Sequence, residues 1–484
     1  RRALRNLRLV TAQERDHHED DDEQEEEVEA EPAAAIHEPP EAAQQAIDEV
    51  GPRVVHVGGS SRAPRAALPP AQPDSTQSPR GGCAPTGHDG LAPAGRLRLV
   101  SRPAPWQALS DRLAAAPPFR HLVAHGGDAI RLPLPAAGWL LDLLAERRGV
   151  PLLVVVPHES DALALLEAAA LAGGQAALFP APPLSPYHEG EPSLAVRSQE
   201  AVALDLAASG RARLLIATGR ALFRRLPEPA AFAAAARSLA PGGLIAPEEL
   251  VAHLLAHGYR RTDLVTEVGE VAVRGGLVDL YPPGEEGPVR LDLFGDEIES
   301  VRRFDPVSQR TVAELAAARV LPLALFPEGA DAAAALADRL SVLAGAAPGL
   351  EVAEQLAALR GAGRFPGWEQ ALPLLAPATV GLADYLPPAA LLVAVDPPAL
   401  AAEAERHADR LAAEYTARSE QHRLAVPPEL LELPLATVRE RLDGAAIRIG
   451  VLLGAAGTGL DFGGSLTDIF HGQLPRFPRE VETA

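Results

Sequence analysis

The sequence predicts an α/β fold, in which a parallel sheet with helices on both faces is interrupted by a small antiparallel α+β domain. From about residue 97, apolar strands such as Leu152–Val156 alternate with helical patterns, which is typical of a parallel sheet covered by helices. Between residues 267 and 305 the strands are closely spaced and no helical pattern separates them. The α/β pattern then resumes, so we predict that the antiparallel domain is inserted.

The first part of the parallel sheet is predicted from short apolar runs. Its strands are expected at residues 121–124, 152–156, 176–179 and 213–217. Ser160 is a candidate N-cap for the helix that follows the second strand. That helix would place Leu163, Leu166 and Leu171 on one side and end at Gly173 and Gly174. A further helix is expected over residues 194–209.

The inserted domain is predicted to begin with a helix over Pro247–Ala256. Its strands are expected at residues 271–274, 277–281, 289–294 and 298–304. Gly275 and Gly295 lie between pairs of these strands, where a tight turn requires a positive φ angle. Afterwards, helices are expected at residues 330–343, 352–359 and 398–419, and strands at 391–396 and 447–453.

These patterns divide the chain into five segments. They are an acidic and Pro-rich leader (1–95), the first part of an α/β domain (96–241), an α+β domain (242–325), the second part of the α/β domain (326–460) and a linker or the start of a next domain (461–484). Eleven acids between Asp16 and Glu31 carry about half of the net charge of −21. We expect the leader to be disordered and solvated; an acidic interaction tail and translated sequence upstream of the true start are the alternatives.

The amino-acid composition argues against several classes of protein function. A net charge of −21 disfavours a chain built mainly to coat nucleic acid or an anionic membrane. The single cysteine, Cys83, cannot form an internal disulfide, and the strongest apolar run, residues 150–156, is too short to span a bilayer. Because of the single cysteine and the lack of a long apolar run, we expect a soluble cytoplasmic protein. The chain also contains no lysine, which excludes lysine Schiff-base chemistry and a P-loop lysine.

No catalytic, cofactor or metal site is predicted. If residues 121–124 were the first strand, Gly126 and Gly127 would form the phosphate loop, but Asp128 adds negative charge there and no lysine follows. The histidines are scattered apart from His17 and His18, which are a poor ligand set. HExxH and GxSxG motifs are also missing from the sequence.

One ordered set of motifs between residues 257 and 311 resembles a known segment. In chain order it consists of Gly258-Tyr259, Gly269-Glu270, Val273-Arg274-Gly275-Gly276, Val278-Asp279, Tyr281-Pro282, Phe294, Gly295-Asp296-Glu297-Ile298-Glu299-Ser300, Phe304-Asp305-Pro306 and Ser308-Gln309-Arg310-Thr311. This segment is similar to one that the UvrB excision-repair proteins share with the transcription-repair coupling factor (Mfd) family.

The flanking sequence favours the coupling-factor family over UvrB. UvrB carries a P-loop and a tyrosine-rich hairpin, whereas this chain has no lysine and only five tyrosines. Residues 184–187 resemble the Leu-Pro-Tyr element of the coupling factors, with Ser185 in place of its proline. Residues 217–222 and 225–227 resemble the next strand and helix. The resemblance implies a degenerate, non-hydrolysing P-loop-type domain with an inserted domain like UvrB domain 2.

The resemblance also implies a partner-binding site. Arginines and a phenylalanine at these motif positions belong to the UvrA-binding surface in the family, which carries over to Arg274, Arg290 and Phe294. Guanidinium groups suit carboxylates across an interface, and arginine and aromatic residues are common binding hot spots. The alternative from the residues alone is that Phe294 is core and that both arginines pair internally with Asp279, Asp292 or Glu297.

The leading functional hypothesis is therefore a UvrA-recruiting module that acts in transcription-coupled nucleotide excision repair at stalled RNA polymerase. The resemblance implies a parent protein that is an ATP-dependent DNA translocase and contacts polymerase and double-stranded DNA through other domains. ATP and magnesium are expected only in those domains, and we expect this chain to be a fragment without enzyme activity. The alternatives are a UvrB-like repair subunit and an ATP-dependent helicase-type enzyme.

Overall fold

The computed structural model describes residues 104–171, 173–181, 185–188, 190, 192–346, 352–376, 378–421, 423–450 and 459–463. The predicted leader, most of the predicted segment 461–484, Leu184 and the last three residues of the predicted strand 447–453 lie outside the described residues.

Helices and strands alternate along the first part of the chain. The helices are α1 (Ala104–Ala115), α2 (Pro117–His125), α3 (Leu134–Arg148), α4 (Glu159–Leu171), α5 (Leu194–Ala208), α6 (Pro229–Ala235), α7 (Pro247–Ala256), α8 (Ala330–Ala346), α9 (Ala353–Gly361), α10 (Pro397–Glu420), α11 (Pro428–Leu431) and α12 (Leu435–Asp443), with 3-10 turns at Gly219–Phe223, Trp368–Leu375 and Leu382–Tyr385. The strands are β1 (Gly127–Ile130), β2 (Leu152–Val156), β3 (Ala176–Phe179), β4 (Leu214–Thr218), β5 (Arg237–Leu239), β6 (Arg260–Arg261), β7 (Glu270–Arg274), β8 (Leu277–Leu280), β9 (Val289–Phe294), β10 (Glu297–Phe304), β11 (Thr311–Glu314), β12 (Ala318–Val320), β13 (Leu391–Val395), β14 (Ile447–Gly450) and β15 (Leu460–Asp461).

A seven-stranded parallel sheet organises the α/β part, with the strand order β15-β1-β14-β13-β2-β4-β3. Its central strands are apolar at successive positions because both faces are buried. Val154 packs in one core with residues of α3 and α4. Val155 packs in a second core with residues of α5, α10 and α12. The predicted α/β class, with helices on both faces, is confirmed.

A six-stranded sheet lies between β4 and β13 in the chain, which confirms the predicted antiparallel unit. Its strand order is β11-β10-β9-β8-β7-β6, and all neighbours are antiparallel except β6 and β7. Strands β5 and β12 pair separately where the chain enters and leaves this unit. Among the predicted strands, Val289–Phe294 has the bounds that the structure shows.

A third apolar core lies after the inserted unit and is built largely from helices. Residues of α8, α9 and the 3-10 turn Trp368–Leu375 pack there with residues of α10 and α11. Tyr187 joins this core, and its hydroxyl donates a hydrogen bond to the Val426 carbonyl at 2.6 Å. The buried tyrosine therefore ties the segment after β3 to the chain before α11.

The strand predicted at residues 121–124 is wrong. These residues belong to α2, which begins after Ala116 with prolines at its first positions. Proline suits the start of a helix because its missing N–H would have no partner there. Phe119 and Leu122 are buried on one side of α2, so the short apolar run is a helix face. Gly126 is consequently the C-cap residue of α2, Gly127 is the first residue of β1, and neither glycine follows a strand.

The predicted capping role of Ser160 is also wrong, because α4 already begins at Glu159. The backbone N–H groups of Asp161 and Ala162 donate to the His158 carbonyl instead. Leu166 is buried as expected, but Leu171 is exposed. The helix does end before Gly173 and Gly174, whose N–H groups bond carbonyls of its last turn.

Candidate partner-binding surface

Strands β7 to β10 give the inserted unit one buried face and one outward face. Val271, Val278, Leu291 and Val301 point inward and pack against Leu250 and Leu254 of α7. We call the opposite side the outer face, since side chains alternate between the two sides of a strand. Two rows across the outer face follow from the strand register: Ala272, Asp279, Arg290 and Arg302, then Arg274, Leu277, Asp292 and Ser300.

Asp279 is the buried charge of the outer face, with only 1% of its side chain exposed. Arg290 holds it through two hydrogen bonds, from Nε at 2.6 Å and from Nη2 at 2.8 Å. Arg274 donates a third from Nη2 at 2.5 Å. A buried carboxylate is stable only when it is paired and hydrogen-bonded, so this aspartate depends on both arginines.

Arg290 is committed to contacts within the chain. Its side chain is only 16% exposed, and its guanidinium lies 4.6 Å from the centre of the Phe304 ring. The hydrogen bonds to Asp279 raise the pKa of Arg290 above its ordinary value. Phe304 in turn packs with Val265 and Ala272, which cover this end of the outer face. Arg290 is therefore better placed to organise the surface than to contact a partner directly.

Arg274 lies at the open end of the outer face, where the hairpin β7–β8 turns. Its side chain is 47% exposed, although one nitrogen contacts Asp279. Gly275 follows with a φ of 60°, which the turn requires. The guanidinium is thus oriented by a buried carboxylate while its remaining donors face solvent, an arrangement that suits a second carboxylate from a partner.

Phe294 is not a core residue, since its side chain is 75% exposed. It follows Arg290 and Asp292 at alternate positions of β9 and therefore lies on the outer face. The next residue, Gly295, has a φ of 61° and makes the turn into β10. Both hairpin turns lie at the same end of the sheet, because the Leu293 N–H bonds the Gly276 carbonyl at 2.8 Å.

A second charged cluster on the outer face was not predicted. Asp292 accepts a hydrogen bond from the Ser300 hydroxyl at 2.6 Å and forms an ion pair with Arg302. The sequence did offer a signal, since a hairpin between β9 and β10 places these residues across from one another. Both arginines of the predicted site thus pair internally with Asp279, and their role in partner binding stays a prediction.

The position of a phosphate loop in the parallel sheet follows β1. There the chain passes through Arg131, whose φ is 52° and whose Nε bonds the Asp461 carboxylate at 2.8 Å. Pro133 is the N-cap residue of α3, and Pro135 lies in its first turn. Prolines have no N–H, so this helix start presents fewer backbone donors to an anion than usual.

The described part of the chain contains neither a cluster of potential metal ligands nor a membrane-spanning helix. Within it, three or more histidine, cysteine, aspartate or glutamate side chains are nowhere grouped so that they could hold a metal ion. Likewise, none of the helices in the described ranges is long and apolar enough to cross a membrane.

Comparison with known proteins places the inserted unit in a family. Residues 238–326 match the model of the UvrB interaction domain. The transcription-repair-coupling factor of Myxococcus xanthus is 32% identical over 368 residues, which cover 70% of this chain and 30% of the relative. The Escherichia coli K12 factor is 33% identical over 193 residues, 40% of this chain and 17% of the relative.

A UvrB protein is similar over a shorter stretch. UvrABC system protein B of Gemmatimonas aurantiaca is 33% identical over 113 residues, which are 23% of this chain and 16% of the relative. The chain spans less than a third of the length of each of these curated relatives. Over the part that it covers, the chain is similar to the transcription-repair-coupling factors, and its residues 238–326 match the UvrB interaction domain.

Proposed function

We propose that this chain is the UvrA-recruiting part of a transcription-repair coupling factor, and that it acts in transcription-coupled nucleotide excision repair. The observation that carries the proposal is the outer face of residues 238–326, the stretch that matches the UvrB interaction domain. Arg274 and Phe294 are accessible there at the hairpin end of the sheet. Similarity to coupling factors over 70% of the chain supports the repair role.

The chemistry of this end of the sheet fits a protein partner. Phe294 offers an apolar anchor, and Arg274 offers a guanidinium that Asp279 already holds in position. Holding a side chain in place before binding reduces the entropy lost in the complex. The partner surface therefore needs an apolar pocket and, beside it, a carboxylate.

Activities of the whole parent protein belong to other domains in this proposal. We assign ATP-driven movement on double-stranded DNA, contact with RNA polymerase, and the ATP and magnesium sites to those domains. The α/β part of this chain serves as a scaffold and does not hydrolyse ATP. This assignment is supported by the lack of lysine in the sequence and by Arg131, Pro133 and Pro135 at the position of a phosphate loop.

The test is equilibrium binding of the full 484-residue chain to the cognate UvrA subunit, measured with Arg274→Ala and Phe294→Ala variants. Loss of a hot-spot residue costs about 2 kcal/mol or more, so each variant is expected to bind at least tenfold more weakly. Arg290→Ala is expected to weaken UvrA binding and also to lower the free energy of unfolding, because it removes two hydrogen bonds from buried Asp279.

Arg310→Ala is the matched control, since Arg310 is exposed and lies just before β11, away from the hairpin end. Its affinity for UvrA is expected to stay within about twofold of wild type, as for surface changes outside a contact. Thermal unfolding of every variant separates loss of folding from loss of binding. Failure of the wild-type chain to bind UvrA at micromolar concentration would overturn the proposal.

An ATPase assay separates the recruiting module from the enzyme alternative. We expect no turnover above background for the full chain, with or without double-stranded DNA. DNA-stimulated ATP hydrolysis that copurifies with the chain through two chromatographic steps would contradict the scaffold assignment. It would favour the helicase-type function instead.

A further inference from the structure

One row of the inserted sheet joins Phe294 to a residue that comes much earlier in the chain. Phe294 pairs with Glu297 across the β9–β10 hairpin. On its other side, Glu297 pairs with Leu244 in an antiparallel bridge. The Ile298 N–H donates to the Gly243 carbonyl at 2.9 Å, and the Ile245 N–H donates to the Asp296 carbonyl at 2.7 Å. These two bonds hold Leu244 beside Glu297.

The three side chains share the outer face. Residues directly opposite one another in an antiparallel pair project to the same side. Their neighbours Leu293, Ile298 and Ile245 all pack in or against the core on the other side. Leu244 is consequently 79% exposed, next to Glu297, which is exposed as well.

This row continues the surface that contains Arg274. The row Arg274, Leu277, Asp292 and Ser300 lies two residues away along β9, which is about 7 Å on a strand. Single exposed apolar residues are common on protein surfaces. Here, however, the large apolar side chains of Phe294 and Leu244 flank the carboxylate of Glu297. The backbone around Glu297 is hydrogen-bonded to the chain segments on both sides, and this row adjoins the proposed binding surface.

We propose that Leu244, Glu297 and Phe294 form one contact strip for UvrA, with Leu244 as a second apolar anchor. The inference rests on the proposed function and defines the partner chemistry further. The matching UvrA surface presents an arginine or lysine between two apolar patches. Among the described residues, the Glu297 carboxylate has no hydrogen bond or ion pair, so it is available to that cation. In the proposed complex, Arg274 contacts a carboxylate of UvrA beside this strip.

The experiment is binding of the full chain to the cognate UvrA subunit with Leu244→Ala, Glu297→Gln and Glu297→Arg variants. We expect Leu244→Ala to weaken binding about tenfold. Glu297→Arg is expected to weaken it more than Glu297→Gln, since it places like charges in contact, and the difference should shrink at high salt. Val312→Ala is the matched control, because Val312 is an exposed apolar residue on edge strand β11 of the same sheet.

The outcomes distinguish the two proposals. Absence of wild-type binding would overturn the UvrA-recruiting function together with the strip. Wild-type binding that Phe294→Ala weakens, while Leu244→Ala and Glu297→Arg leave it within twofold, would overturn the strip alone. Because Leu244 and Glu297 are exposed, unchanged thermal unfolding is expected for their variants. A Leu244→Gln variant that keeps side-chain length gives a second measurement should Leu244→Ala unfold early.

Discussion

The two sheets of this chain bury their side chains differently. On β2 of the parallel sheet, the adjacent residues Val154 and Val155 are both fully buried, and each belongs to a different core. On β9 of the antiparallel sheet, Leu291 is buried while Phe294 is exposed. A change at an exposed position of the outer face, such as Phe294, therefore leaves the cores intact, whereas almost any polar change on β2 disrupts one. A partner-binding surface is compatible only with the second arrangement.

The largest expected effect comes from placing a carboxylate in each sheet. Val154→Asp buries an unpaired charge between β13 and β4, and we expect it to remove most of the roughly 5–15 kcal/mol that typically stabilises a domain. Phe294→Asp, on exposed backbone, should change the free energy of unfolding by about 0.5 kcal/mol. Urea unfolding followed by circular dichroism measures both. Equal destabilisation by the two variants would contradict the distinction between the sheets.

An intermediate effect is expected at Asp279, the one strongly buried carboxylate of the outer face among the described residues. Asp279→Ala leaves Arg274 and Arg290 without their shared partner, which should cost about 3 kcal/mol, as for other broken buried pairs. Asp296→Ala, at an exposed turn position, is the control and should cost less than about 1 kcal/mol. Urea midpoints that coincide for the two variants would show that Asp279 does not stabilise the sheet.

The smallest effect is pH-dependent and concerns Glu200 on α5 of the α/β part. Burial raises the pKa of Glu200 above the ordinary value of 4.5, although Arg224, at 3.2 Å, and Arg197 oppose the shift. The folded state thus binds the proton more tightly. The resulting stabilisation is fully present below about pH 4.5 and is lost as the pH rises through the folded-state pKa.

Glu200→Gln removes this titration. We expect the free energy of unfolding of wild type relative to Glu200→Gln to fall as the pH rises from about 4.5 through the folded-state pKa, by at most about 1.4 kcal/mol per pH unit inside that window. Urea unfolding at several pH values measures the difference. Glu248→Gln, at an exposed position of α7, should show no such trend. A difference that rises with pH would mean that Glu200 is stabilised in its charged form, with its pKa lowered by folding.

Local sequence patterns predicted most elements of the fold. Strands β7 to β10 of the inserted unit were predicted within one residue of their observed ends, because glycine turns and alternating apolar residues mark them, whereas the short edge strands β6 and β11 were not predicted. Residues 121–124 were misassigned, since a short apolar run does not separate a strand from one face of a helix. Here the prolines at the start of α2 and burial of Phe119 and Leu122 decided the outcome.

The candidate surface was predictable only in part. Motif positions indicated Arg274, Arg290 and Phe294, but they did not distinguish exposed Phe294 from largely buried Arg290. That distinction depends on the strand register, which places Arg290 opposite Asp279 and beneath the cover formed by Phe304. Leu244 carried no signal in the sequence, because its position on the outer face arises from pairing with Glu297, which is distant in the chain.

This distant pairing links recognition to the folding equilibrium. Helix α7 and strands β6 to β9 separate Leu244 from Glu297 in the chain, so an unfolded chain does not hold the two together. A partner that requires both side chains binds only the native state, and its binding then shifts the folding equilibrium toward that state by mass action. The melting temperature of the inserted unit should accordingly rise with the concentration of its partner.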